Sequence, residues 1–294
     1  MIDFLKYRPL YAALSVLIFA VFIGGAIYKI KTRGEAFVYS VEFTGGTQVL
    51  FKSSTPILSS QVVEILEKNG FAGATTREFS STELLVRVRQ FEGDAKGVGE
   101  RMRLLIEEQI PGSRIEILQT DSVGAGVGAS LWWKSTQAII VVLILMLLYI
   151  WWRFWSLSYA VGNVVSLFHD AIVILAFFMF FDYEISVNVI GAILAVLGYS
   201  INDTIVIFSR IRENVHRMRG ASMETIVNTS INETLRRTLL TSFATSLSVA
   251  ALVLFGGDVL RTLALGLLVG IVFGTYSSIA IASPVMLMLH SGDE

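Results

Sequence analysis

The sequence predicts an α-helical membrane protein: six transmembrane helices, with one ferredoxin-like α+β domain inserted after the first. Three observations lead there. Of the 294 residues, 54% are hydrophobic and 16% charged, more apolar sequence than a soluble core of this size needs. Six apolar stretches reach about 20 residues, the length that crosses roughly 30 Å of hydrocarbon. Residues 35–120 break that pattern with scattered charges and apolar residues alternating by two, as half-buried strands require.

Composition also excludes classes of function. A formal net charge of -1 supplies no basic surface for nucleic acid. Without Cys there are no disulfides, thiolate metal sites or cysteine nucleophiles. No motif calls for a metal or a cofactor.

The first apolar stretch, residues 9–28, is too long for a signal peptide, and Ile23-Gly24-Gly25-Ala26 is a poor cleavage site, so it is read as a retained helix. Phe37, Tyr39, Val41 and Phe43 then recur with period two, Thr44-Gly45-Gly46 turns the chain, and Val49-Leu50-Phe51 returns, which predicts a hairpin. Val62, Val63, Ile65 and Leu66 form one face of a helix over Ser59 to Lys68, stopped by Asn69-Gly70. Strands at 74–80 and 83–89, a helix at 95–109 and a strand at 113–119 complete the order of a ferredoxin-like unit. The unit contains no His and no catalytic constellation, so it reads as a binding or gating module. Gly124-Ala125-Gly126-Val127-Gly128-Ala129-Ser130 lacks the Lys of a phosphate-binding loop, and is read instead as a tight, flexible connection to the second helix whose small residues allow close backbone approach.

The remaining stretches lie at 134–152, 156–181, 185–209, 237–256 and 262–288. Arg210, Arg212, Arg217 and Arg219 stand against a single Glu213, whereas the turn at Asp182 and Glu184 is acidic, so the arginine-rich segment is expected inside. Six crossings then place both termini inside and the inserted domain outside. The expected organisation is residues 1–29 as the N-terminus and first helix, 30–130 as the external domain with its glycine-rich connection, and 131–294 as helices two to six. That last part carries a cytoplasmic loop at 210–236, with a surface helix near 222–233.

Few ionisable residues lie within the spans, where each costs roughly 2.5–3.5 kcal/mol at the centre. Asp170, beside His169, is near the middle of helix three, and Asp203 lies about two-thirds of the way along helix four. Arg237, Thr241, Ala244 and Ser248 share one face, with Thr234, Thr238 and Thr245 close by, and Arg236 heads a stripe of Leu240, Phe243, Leu247 and Leu254. The polar face is expected toward the bundle, which makes Arg237 the partner of Asp203 and leaves Arg236 to snorkel. The plainer readings are a membrane anchor for Arg237 and static hydrogen-bonding glue for Asp203, Asn202 and Ser200. His169, Asp170 and Asn202 make a possible second polar site. On helix six, Thr262, Gly266, Gly270, Gly274 and Ser278 repeat every four residues, a face for close packing rather than chemistry.

These features together resemble the SecD/SecF protein-export family of the resistance-nodulation-division superfamily. The resemblance rests on GYSINDTIVIFSRIREN at Gly198 to Asn214, NETLRRTLLTS at Asn232 to Ser242, VEFTGGTQ at Val41 to Gln48, VGAGVGASL at Val123 to Leu131, and FHD at Phe168 to Asp170. Two positions depart from the family pattern: Glu42 stands where Asp is usual, and Ser209 where a carboxylate is often found. The resemblance implies a multi-pass protein of the bacterial inner membrane that uses the proton-motive force to help draw a preprotein outward. It implies as partners a SecD-like subunit, the Sec channel (SecYEG) with its ATPase SecA, YajC and the translocating preprotein. It assigns Asp203 and Arg237 to the proton relay; a carboxylate in low dielectric can load and release a proton near working pH, while the guanidinium stays cationic.

Other classes fit less well. An exporter of the same superfamily would need its own substrate cavity, for which six helices and a small domain offer little. An intramembrane protease would need an activated nucleophile, and Gly198-Tyr199-Ser200 with His169 lacks the glycine that should follow the serine. A passive scaffold would tolerate Asp203 as Asn.

Overall fold

The computed structural model describes residues 1–71, 73–89 and 95–290. The chain divides into two compact units, Tyr39–Thr136 and the remainder, Met1–Val38 with Gln137–Glu294. A 3-10 turn at Leu5–Tyr7 leads into helix α1, Arg8–Arg33. Pro9 sits in its first turn, where a missing N–H costs nothing, and Gly34 ends it in the left-handed conformation at φ 85.

The smaller unit follows β1 (Val38–Tyr39) and contains α2 (Val41–Thr44), β2 (Gly46–Ser53), α3 (Ser59–Lys68), β3 (Thr75–Glu78), β4 (Glu83–Val88), α4 (Ala95–Gln109) and β5 (Ile115–Val123). Its four strands are antiparallel in the order β3-β4-β2-β5. With α3 and α4 crossing between them, this is the ferredoxin-like arrangement. Val49, Phe51, Val86 and Val88 from the sheet meet Val62, Leu66, Val98, Met102 and Ile106 from the helices in one core.

The expected first hairpin is absent. β2 is already paired on one edge with β4 and on the other with β5, so a preceding strand has no edge to join. The chain from Val41 to Thr44 instead makes one helical turn, closed by Gly45 at φ 77, and it still buries Val41 and Phe43. The glycine-rich connection is also not a loop. Helix α5, Ala125–Phe154, begins within it, and a Cβ at Gly128 would stand 2.7 Å from the Phe43 carbonyl oxygen. The close backbone approach expected of these small residues is therefore present at Gly128.

In the larger unit α6 (Leu157–Phe180), β6 (Glu184–Ile185), α7 (Val187–Arg217), α8 (Met223–Phe255), α9 (Gly257–Ser277) and α10 (Ser283–Leu289) follow. Among the described residues six helical segments are long and apolar enough to cross a membrane: Leu5–Arg33, Gly126–Phe154, Leu157–Phe180, Val187–Arg217, Met223–Phe255 and Leu260–Leu289. The expected loop at 210–236 is helical except for Met218–Ser222. No separate surface helix forms, because Ser222 caps α8 by accepting from the Thr225 N–H at 3.3 Å, and the helix runs unbroken into the fifth span. Between α9 and α10, Ser278–Ala282 form a π-helical turn just before Pro284, whose missing N–H prevents regular α bonding. Residues 291–294, the tail expected inside, lie outside the described residues.

The glycine face of the sixth span packs in register on α7. Cβ atoms at Gly266 and Gly274 would stand 3.1 Å from Ala192 Cβ and Ser200 Cβ, and one at Gly270 would fall inside the Val196 side chain. Both series advance by four residues, so one face of α9 lies along one face of α7 and brings Ser200 and Asp203 up to the sixth span.

Candidate functional site

Helix α7 buries Val189, Ala192, Ile193, Val196, Leu197, Ser200, Asp203, Thr204, Ile207 and Ile211, a stripe with helical spacing. Asp203 occupies a place on that stripe where any aliphatic residue would pack, and it is only 3% exposed. Its Oδ2 accepts a hydrogen bond from Ser242 Oγ of α8 at 3.3 Å. Ser242 Oγ in turn accepts from Thr275 Oγ1 of α9 at 2.7 Å. Three helices are thus joined at one carboxylate by a chain of two hydroxyls, which can hold a proton-bearing or an ionised Asp203 by turning their own O–H groups. A second link, Tyr199 Oη to Thr245 Oγ1 at 3.2 Å, lies one turn away.

Arg237 is exposed on α8. It lies within electrostatic reach of Asp203, yet among the described residues the two form no ion pair. The expected polar face of α8 divides: its Thr234 and Thr238 edge is buried with Ser242, while Thr241, Ala244 and Ser248 are exposed with Arg237. These hydroxyls donate to their own helix backbone rather than to other helices. Thr241 donates to the Arg237 carbonyl at 3.0 Å, Thr245 to Thr241 at 2.9 Å and Ser248 to Ala244 at 3.2 Å. The apolar face behaves as expected, with Leu240, Phe243, Leu247 and Leu254 turned outward.

Asp170 and His169 come together on α6, both buried, with Ser200 Oγ donating to Asp170 Oδ2 at 2.7 Å. Asn202 does not join them; it is exposed on the other side of α7. Gly274 stands where the Ser200–Asp170 hydrogen bond meets the sixth span, since a Cβ there would lie 3.1 Å from Ser200 Oγ and 3.5 Å from Asp170 Oδ2. Ser242 and Thr275 escaped the sequence reading. The signal for Ser242 was its place one turn beyond Thr238; Thr275 follows the glycine face by one residue and carries no such mark.

At the far end of α7, Glu233 of α8 pairs with Arg210 at 2.9 Å and Arg217 at 2.5 Å, and accepts from Asn214 at 2.8 Å. This network fastens α7 to α8 and accounts for two arginines of the basic segment. Among the described residues no group of three or more His, Cys, Asp or Glu is placed to hold a metal.

Residues 106–292 match the family model described as protein export membrane protein SecD/SecF, C-terminal. A protein translocase subunit SecF from Desulfurispirillum indicum is 38% identical over 96% of this chain and 90% of its own length. One from Vibrio alginolyticus is 38% identical over 92% of this chain and 86% of its own. Among solved structures, the SecDF translocon-associated membrane protein of Thermus thermophilus superposes at a TM-score of 0.86 with 32% identity, and a SecDF in a super-membrane-facing form at 0.69 with 32% identity. Each covers 98% of this chain, which spans 38% of the length of the SecDF chain.

Proposed function

Because the chain belongs to the SecD/SecF protein-export family, we propose that it works with a SecD-like subunit to draw a preprotein outward, driven by the proton-motive force through Asp203 and Arg237. It is a multi-pass membrane protein of that family. The proposal places it in the bacterial inner membrane beside the Sec channel (SecYEG) and SecA, with YajC as a further neighbour.

The observation that carries the reading is a buried carboxylate held by one hydroxyl, with an arginine in electrostatic reach but unbonded. Ionised, Asp203 attracts Arg237 and draws α8 toward α7. Protonated, it needs only the Ser242 hydroxyl, and the arginine is released to headgroups or water. One charge moved across the membrane is worth roughly 2.3 kcal/mol per 100 mV, enough to exchange two packings that differ by that amount. Two SecDF forms of equal sequence likeness but unequal TM-score support a fold that takes more than one shape.

In inverted membrane vesicles supplied with ATP, Asp203→Asn and Arg237→Lys should both insert and allow ATP-driven initiation. Neither should respond to an imposed proton gradient. The first mimics a permanently protonated acid and the second loses the guanidinium fork. Gradient-stimulated export surviving in Asp203→Asn would reduce the pair to helix glue.

A further inference from the structure

His169 and Asp170 make a second ionisable cluster that the Asp203 relay does not use. Asp170 is fully buried and His169 nearly so. The carboxylate receives Ser200 Oγ at Oδ2 and has the Ser277 hydroxyl of α9 beside it, while Oδ1 and both ring nitrogens of His169 have no partner within 3.5 Å. His169 Nδ1 stands 3.6 Å from Oδ1, just beyond hydrogen-bonding distance. The imidazole is walled by Phe19 of α1, with ring centroids 5.8 Å apart, and by Tyr276 of α9 at 6.1 Å.

Few other groups that titrate or carry charge face this cluster. Tyr276 touches His169, Tyr11 of α1 lies behind it with ring centroids 6.0 Å apart, and Asp203 is one turn beyond Ser200 on α7. Lys29 of α1 is engaged by Asp182 at the other end of α6. The π turn and α10 contribute no titratable side chain. Among the described residues, then, no Lys or Arg is set against Asp170, and the His169 imidazole is its one basic neighbour.

An acid and an imidazole in contact, shut away from water, are neutral overall when they share one proton. With none they carry a net negative charge and with two a net positive one, and both conditions are costly in low dielectric. Unpaired buried atoms on both side chains leave room for that proton at either residue. Ser200 joins the pair to the relay. It donates to Asp170, and it lies three residues before Asp203, about 4.5 Å along the helix axis at about 1.5 Å per residue. A change at the Asp170 carboxylate therefore reaches, through its Ser200 hydrogen bond, the same turn of α7 that carries Asp203.

We infer that His169 and Asp170 together form a second proton-binding site, coupled through the Ser200 turn of α7 to Asp203. The inference rests on the reading of Asp203 as a proton carrier. Ionisation of Asp203 favours a proton on the pair, and discharge of the pair favours one on Asp203. A proton therefore stays in the bundle while either acid is empty.

Infrared difference spectroscopy of the full chain with its SecD-like partner in lipid bilayers, titrated over pH, tests this through the carbonyl stretch of protonated carboxylic acids. Two deuterium-sensitive bands should be present, one lost in Asp170→Asn and the other in Asp203→Asn. In Asp170→Asn the midpoint of the Asp203 band should move by about one pH unit, the scale at which coupled sites interact. His169→Gln, which keeps both acids, should move the Asp170 band and serves if the first variant misfolds. The coupling is overturned if the Asp203 midpoint is unmoved in both variants, and the second site if Asp170→Asn removes no band. If Asp203→Asn removes none, the Asp203 reading falls first and takes the coupling with it.

Discussion

At the scale of single residues, Asp182 shows how one carboxylate ties the span ends together. It sits in the turn after α6 at φ 52 and receives Lys29 Nζ at 2.6 Å and Arg33 Nη1 at 2.9 Å, both from the end of α1. Lys29 also donates to the Met179 carbonyl. The Lys29 ammonium foremost, then the Arg33 guanidinium, hold the Asp182 carboxyl below its usual range. A depressed carboxyl contributes stability above its unfolded value, near 3.8, and loses it as pH falls through the folded one. Since Asp182 is half-exposed, the contribution is about 0.2–1 kcal/mol. Asp182→Asn should therefore lower the thermal midpoint slightly at neutral pH in detergent, and the gap between variant and parent should close as the pH is taken below about 3.8. Curves that stay parallel through that range would remove the tie from the stability of the unit.

At the scale of elements, the packing of α9 on α7 predicts an order of cost. Gly270→Ala drives a methyl into Val196 and should destabilise by about 1–3 kcal/mol, the range for overpacking a filled core. Gly266→Ala meets Ala192 Cβ at 3.1 Å and should cost less. Gly198→Ala on α7, with open space around it, should be neutral or slightly stabilising through helix propensity. Unfolding midpoints in detergent that failed to rank Gly270 worst would contradict the register. These glycines were legible because a fourfold repeat of small residues has one structural use in a span. The packing face of α8 was not, because Arg237, Thr241 and Ser248 look like a bundle face until their hydroxyls are found bonded to their own backbone. The hairpin before Gly46 failed for a different reason. Alternation of apolar residues from Phe37 to Phe43 suggests a strand, and only the pairing of β2 on both edges shows that no strand can follow from it.

At the scale of the whole molecule, α6, α7 and the sixth span are well buried within the chain, whereas little of α1, α5 and α8 is. Six helices of this length, with arginines crowding the α7–α8 end, give the topology its first check. Protease added to intact spheroplasts should cut within the domain at 35–120 and spare Arg210 to Arg219, and the reverse would invert the chain. The exposed faces of α8 give the second. One bears Leu240, Phe243, Leu247 and Leu254, the other Arg237, Thr241, Ala244 and Ser248. Lipid suits the first. A face carrying a guanidinium is poorly placed in hydrocarbon, and small polar residues let another helix approach closely, so the proposed SecD-like partner is expected on the second. The chain has no Cys, so single cysteines report without background. In membranes holding both proteins, Thr241→Cys and Ser248→Cys should cross-link to the partner, while Phe243→Cys and Leu254→Cys should not. The contact should also weaken in Arg237→Lys, because the arginine heads that face. Equal cross-linking from both faces would make α8 a lipid-bathed helix, and cross-linking through Phe243 alone would place the partner on the apolar side and take Arg237 out of the interface.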